Sequence, residues 1–254
     1  MKRYPIRSRV FHAMCREPEP TDLPDDYEAT WWEEHLQADE RFFQRLPDLR
    51  VEGRSVLDYG CGGGHTCVLM AQRGARRVLG VDREPVDFAD SQVEELYPEL
   101  ADRIDVRQIS AASDIGDELF DLVLSKNTFE HVDDPDRYVA EMVSLLAPGG
   151  QLVIGFGALW KSPYGGHLQH MTKVPWAHLM IPEQVVLRER RRYRPNEDPA
   201  CYEEVKGGLN RMTLAKFRET MERSGLEPKY LEMNRNDRAI ARALNLAARV
   251  PGMK

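Results

Sequence analysis

The sequence predicts an α/β fold, a doubly wound, mostly parallel sheet with an inserted cap after the fifth strand. Short β-branched and apolar runs alternate with helix-length segments through the middle of the chain, the pattern of successive βαβ units. A glycine cluster, "YGCGGGH" from Tyr59 to His65, joins the first strand of that series to its first helix. After the fifth strand, residues 158–210 intervene before the next clear helix, far more than the ~2–6 residues of an ordinary connection.

The elements follow in order. "RSVLDY" (Arg54 to Tyr59) is a near-continuous apolar run and reads as a strand buried on both faces. "HTCVLMAQRG" reads as a helix closed by Gly74, where a left-handed residue ends a helix without strain. "RVLGVD" is the second strand, ending at Asp82, and Pro85 then opens a helix at a position that needs no N–H. "IDVRQI" (Ile104 to Ile109) and "LFDLVLS" (Leu119 to Ser125) are the third and fourth strands. A helix from about Asp134 to Leu146, the turn "APGG" and the strand "QLVIGFG" complete the series. Parallel strands joined this way take right-handed crossovers. Beyond the insert come the helix "TLAKFRETMERSG", the strand "LEPKYLEM" and a last helix in "NDRAIARALNLAARVPGMK".

Composition narrows the function. The chain has 254 residues, 42% of them hydrophobic and 30% charged, as expected of a globular protein with one large or two small cores. A net charge of −7 argues against nucleic acid as the main partner. The longest apolar run, "LVIGFGALW", is far short of the ~18 residues that span a bilayer, so no membrane is expected. The basic start, "MKRYPIRSRVFHAMCREPEP", lacks the apolar stretch of a secretory signal. Cys15, Cys61, Cys67 and Cys201 show neither metal-ligand spacing nor a disulfide framework, which places the expected compartment in a reducing cytoplasm with no metal.

Glycine is costly to order, so a cluster of glycines implies a backbone that must turn tightly or be approached closely. In open parallel sheets, ligands bind at the carboxyl ends of the strands where the strand order reverses, and the cluster lies there. A dinucleotide fingerprint counted from Gly60 would need glycine at the sixth position, where His65 stands; the glycines alternate instead as Gly60, Gly62 and Gly64. Asp58, at the strand tip, would repel a pyrophosphate and suits a cationic amino group. S-adenosyl-L-methionine carries such an ammonium and no phosphate, and Asp82 fits the two ribose hydroxyls.

"VLDYGCGGGH", "GVD", "FDLVLSKNTFEHVDDP" and "LAPGGQLVI" together resemble the class I S-adenosylmethionine-dependent methyltransferases, with a Rossmann-like core, over roughly Ser55 to Phe156. The resemblance implies Asp58 near the methionine amino group and Gly60, Cys61, Gly62 and Gly64 under the methionine and ribose. It also implies Asp82, with Arg83 beside it, at the ribose, and Asn127 beside the reactive methyl. Relatives often carry an acid for the adenine; "SAASDI" offers backbone amides near Ala112 and Ser113, or Asp114, instead.

On that reading the chain divides into an N-terminal tail and lid helix (1–50), a cofactor-binding core (51–157), an acceptor-binding cap (158–210) and a helix–strand–helix completing the core (211–254). Trp31, Trp32, Phe42 and Phe43 sit on the lid segment, either over the cofactor or packed against the sheet. The basic run "RERRRYRP" either clamps an anionic acceptor or forms a solvated helix face. A hydroxyl acceptor needs its proton removed, and His167, after Gly165-Gly166, is the expected general base, with His131 or His170 assisting. The expected activity is methyl transfer to a small-molecule oxygen (sugar, phenol or natural-product intermediate). N- or C-methylation and a non-catalytic cofactor-binding subunit remain as alternatives. The family's last antiparallel strand is expected to be missing, leaving a sheet edge to be covered by a helix, by the N-terminal segment or by a second copy in a homodimer.

Overall fold

The computed structural model describes residues 5–18, 27–46, 48–86, 93, 95–205 and 208–233, with backbone only for residues 5 and 27–31. Its core is a parallel sheet of β1 (Ser55–Tyr59), β2 (Arg77–Asp82), β3 (Ile104–Gln108), β4 (Phe120–Lys126) and β5 (Leu146–Gly155), in the order β3-β2-β1-β4-β5. Strand order reverses between β1 and β4, which opens a crevice at their carboxyl ends.

The central strands β1, β2 and β4 are buried on both faces because their side chains alternate between two cores, while β3 and β5 at the edges are partly exposed. Val56, Val78 and Leu122 point into one cluster with Trp32, Phe43 and the apolar residues of α3 (His65–Gln72). Leu57, Leu79 and Val123 point into the other, against Tyr138, Val139 and Met142 of α4 (Pro135–Ser144) and, in part, Phe217 and Met221 of α7 (Leu214–Arg223). Asp134 caps α4 by accepting from the Arg137 amide at 3.0 Å, with Pro135 in the first turn.

Helix α2 (Tyr27–Phe43) packs on α3 and reaches the carboxyl ends of β4 and β5; a Cβ at Gly155 would run into the Phe42 ring. Trp32, Phe42 and Phe43 therefore pack inward, while the Trp31 side chain lies outside the described residues. A third cluster lies apart from the sheet. It joins Leu168, Met171, Val185, Val186, Leu187, Tyr202, Val205 and Leu209 to Phe11 of α1 (Pro5–Met14), around α5 (Ala177–Met180) and α6 (Glu183–Arg190).

Two local expectations differ from what is observed. "APGG" is no free turn: Leu146 pairs with Phe120, residues 147–150 bulge, and pairing resumes at Gln151 with Leu122. The strand expected at Leu226 to Met233 does not form; Pro228 offers no N–H, and Tyr230, Leu231 and Met233 stay about half exposed, so no face is buried. Most of the helix expected after Pro85 and the final helix fall on residues outside those described.

Gly80 of β2 faces α3 so closely that a Cβ there would stand 2.7 Å from Cys67 Sγ and 3.1 Å from Cys61 Sγ. Gly80→Ala is expected to cost about 1–3 kcal/mol by overpacking. A urea midpoint that drops for Gly80→Ala and recovers in part with Cys67→Ala added would verify the contact.

Candidate active site

The glycine loop is a built cradle at the crevice. Gly60 and Cys61 donate their amides to Val81 O at 2.7 and 3.0 Å, which folds the loop onto β2. Gly60 lies at φ 87°, and a Cβ there would come within 2.5 Å of Thr128, whose hydroxyl donates to Gly60 O at 2.9 Å. Only glycine fits both constraints. Gly62, at φ 50°, has nothing within 4 Å of its Cβ position, so bare backbone faces outward. Gly64, at φ 80°, caps α3, while the Cys61 thiol is buried.

Two carboxylates flank the loop. Asp82 accepts from the Gly62 amide at 2.8 Å and the Glu84 amide at 3.0 Å, which fixes its orientation and leaves lone pairs for further donors. Asp58 is 1% exposed. Burial first, and then the nearby Asp39 charge, push its carboxyl up to about 8, while the Cys67 thiol donates to it at 3.7 Å. Arg83 is exposed and lies 3.5 Å from Glu141.

Asp39, from α2, was not singled out by the sequence. It is fully buried, accepts from Thr66 Oγ1 at 2.5 Å and His65 Nδ1 at 2.8 Å, and pairs with Lys126 at the end of β4. Burial alone would raise its carboxyl; His65 and Lys126 overcome that and hold it below the usual range. The hint available in the sequence was an aspartate at an inward position of an amphipathic helix beside apolar Leu36 and Phe43. Asn127 turns the chain at φ 57° and donates its amide to Gly155 O at 2.7 Å. Ala112 and Ser113 open a 3₁₀ turn, Ala112–Ile115, beyond β3. Asp114 is spent on that turn, accepting from the Ser110 and Ala111 amides at 2.8 and 3.1 Å.

Glycine backbone open to the outside, a fixed carboxylate for two hydroxyls and a buried acid in want of a cation suit the S-adenosylmethionine inferred from the sequence. A second group of residues sits where β4, β5 and the cap meet. Glu130 is 4% exposed; its Oε1 accepts from the Gly157 amide at 2.7 Å and Oε2 has no hydrogen-bond partner among the described residues. His131 donates Nδ1–H to Gly208 O at 2.7 Å, and its Nε2 lies 4.0 Å from Glu130 Oε1. The His167 ring lies 5.5 Å from that of His131. Burial, then neighbouring His131, lowers the His167 imidazole to about 4, so it is neutral at physiological pH. Its backbone is left-handed, φ 52°, and Gly166 before it admits the His178 ring where a side chain would collide.

His131 and His167 thus come together, and the His170 ring lies 5.8 Å from that of Tyr193. His170 is also lowered to about 4, by burial and then by Arg190 and Arg194. All three histidines line one cavity of about 180 Å³. Among the described residues no three metal-ligating side chains are grouped to hold an ion.

Residues 57–154 match the family model described as a methyltransferase domain. An uncharacterized methyltransferase of Mycobacteroides abscessus is 30% identical over 54% of this chain and 52% of its own length. A ubiquinone biosynthesis O-methyltransferase of Pseudomonas fluorescens is 36% identical over 41% of this chain and 44% of its own. The chain thus spans about half the length of the curated relatives it matches. Among solved structures, the YcgJ protein of Bacillus subtilis aligns with a TM-score of 0.51 at 17% identity, covering 74% of this chain and 68% of that one. Phosphoethanolamine N-methyltransferase 2 of Haemonchus contortus, solved with S-adenosyl-L-methionine, aligns with a TM-score of 0.52 at 16% identity, covering 79% and 42%. Sheet topology and family match agree: residues 57–154 match a methyltransferase domain and carry the parallel, Rossmann-like sheet of such a fold.

Proposed function

We propose that the protein transfers a methyl group from S-adenosylmethionine to the hydroxyl oxygen of a small molecule held between the sheet and the cap. The observation that carries this reading is the His131–His167 pair, at the point where the acceptor cavity meets the carboxyl ends of β4 and β5. The printed activity of the ubiquinone-biosynthesis relatives, O-methylation, supports the choice of oxygen.

The cofactor, when bound, supplies a methyl group already activated on a sulfonium. The chain's part is to hold, orient and dry the site. Asp58 receives the methionine ammonium, and Gly60, Cys61, Gly62 and Gly64 lie under the methionine and ribose. Asp82 accepts from the ribose hydroxyls with Arg83 alongside, the amides of Ala112 and Ser113 meet the adenine edge, and Asn127 stands beside the methyl. Phe42 on Gly155 closes one wall against water and the cap closes the other. His167 or His131 takes the hydroxyl proton at Nε2, the nitrogen that the Nδ1 bond to Gly208 leaves open in His131. Residues 158–210, with their separate core, form the acceptor-binding cap, and 1–50 and 211–254 complete the unit.

The test is mass spectrometry of the full chain incubated with S-adenosylmethionine bearing a labelled methyl and panels of hydroxyl, amine and carboxylate acceptors. O-methylated product is expected; label found only on nitrogen or carbon would overturn the oxygen reading. Asp82→Ala is expected to weaken S-adenosylhomocysteine by about 1.5–3 kcal/mol through loss of two charge-assisted bonds. Calorimetry with the deoxyribose analogue should show little further loss in that variant.

A further inference from the structure

We infer that the acceptor carries an oxyanion, a carboxylate or phosphate, seated against Arg194 and Arg190 in the cavity that His131 and His167 also line. The inference rests on the methyl-transfer reading and names the acceptor's class.

The basic run divides once its partners are known. Arg191 pairs with Asp198, and Arg192 with Glu189 and Glu17; these are surface ion pairs that shape the cap. Arg190 and Arg194 alone of the run line the cavity, four residues apart and so on one side of the chain as it leaves α6. Arg190 spends Nε and Nη2 on Glu197, at 3.0 and 2.9 Å, which fixes the guanidinium and leaves Nη1 for a further acceptor. Arg194 has no ion pair among the described residues. Among the described residues no carboxylate lines the cavity; Glu197 pairs with Arg190 and partly offsets the two arginines at His170, which leaves Arg194 as the uncompensated positive charge there.

The rest of the lining sets the shape of what fits. Leu168, Val186, Leu187 and Leu209 add apolar wall to the cavity that the arginines and histidines line. A volume of about 180 Å³ is below the ~300–1,000 Å³ of drug-sized sites and suits one ring or a short chain. Apolar wall, guanidinium groups that fix orientation and imidazoles that accept a proton, all in one small cavity, describe a small hydroxy acid or hydroxy phosphate. Arginine is the side chain suited to such planar or tripodal oxyanions.

The test is NMR titration of the full chain, saturated with S-adenosylhomocysteine, using benzoate, phenyl phosphate and methyl benzoate as probes. At least one oxyanion should bind tenfold or more tightly than methyl benzoate, and the tighter of the two tells carboxylate from phosphate. Arg194→Gln should erase that preference while leaving S-adenosylhomocysteine affinity within twofold. Equal binding of the neutral ester, binding of neither oxyanion, or a preference that survives Arg194→Gln overturns the inference. If S-adenosylhomocysteine does not bind yet the preference and its loss persist, the cofactor reading falls and the anion site stands.

Discussion

Between pH 5.5 and 7, S-adenosylmethionine affinity is expected to rise about tenfold per pH unit in the native protein and to stay flat in Asp58→Asn. The free Asp58 carboxyl, pushed up to about 8 by burial and by Asp39, is protonated across that window. Only its ionised form receives an ammonium, so binding must expel the proton. The ligand's own α-amino group, with a pKa of about 7.7–8.0, stays charged throughout. Calorimetry in buffers of different ionisation enthalpy should register proton release near one per site at pH 6.5, and none for Asp58→Asn. A flat affinity profile in the native protein would sink the assignment. Folding has the opposite pH dependence. A carboxyl raised in the folded state contributes stability below its unfolded pKa of ~3.9 and loses it as pH rises toward 8, so Asp58→Asn should have the higher Tm at pH 8.

His167→Asn is expected to lower methyl transfer to a hydroxyl acceptor by about 10²–10⁴-fold if His167 takes the proton. Asparagine tolerates the left-handed backbone at φ 52°, so the substitution tests chemistry without straining the turn. The imidazole, lowered to about 4, is an available but weak acceptor at neutral pH, which makes His131, with its Nδ1 bound to Gly208, the partner to compare. S-adenosylhomocysteine affinity should be unchanged in both His167→Asn and His131→Asn. Turnover within a few-fold of the parent for His167→Asn, with His131→Asn crippled, would move the base to His131.

Much of this was legible because it is local. Strand runs, the glycine loop, Asp58 at a strand tip and Asp82 at the next are fixed by spacing within one βαβ unit. Asp39 was not legible: its partners His65 and Thr66 come 26 and 27 residues later, and no periodicity encodes which helix will lie over which strand end. Arg190 and Arg194 were visible only as members of a basic run, since the division between surface pairs and cavity lining needs the positions of Glu17, Glu189 and Asp198. The strand expected at Leu226 to Met233 failed for the complementary reason: its composition was suitable but it had no buried face to fill.

The packing of α1 on the cap has a consequence for biosynthesis. Phe11 is completely buried in the cap's own core, His12 bonds Glu189 across 177 residues of chain, and Tyr193 bonds Arg16 across the same span. At ~5–20 residues per second, a ribosome needs about 10–35 seconds to deliver those partners. Through that interval α1 carries an unburied aromatic, while the sheet and its glycine loop can already assemble behind it. The sheet and its glycine loop can therefore form early, and the separate cluster around α5 and α6 is completed only when α1 packs back onto it.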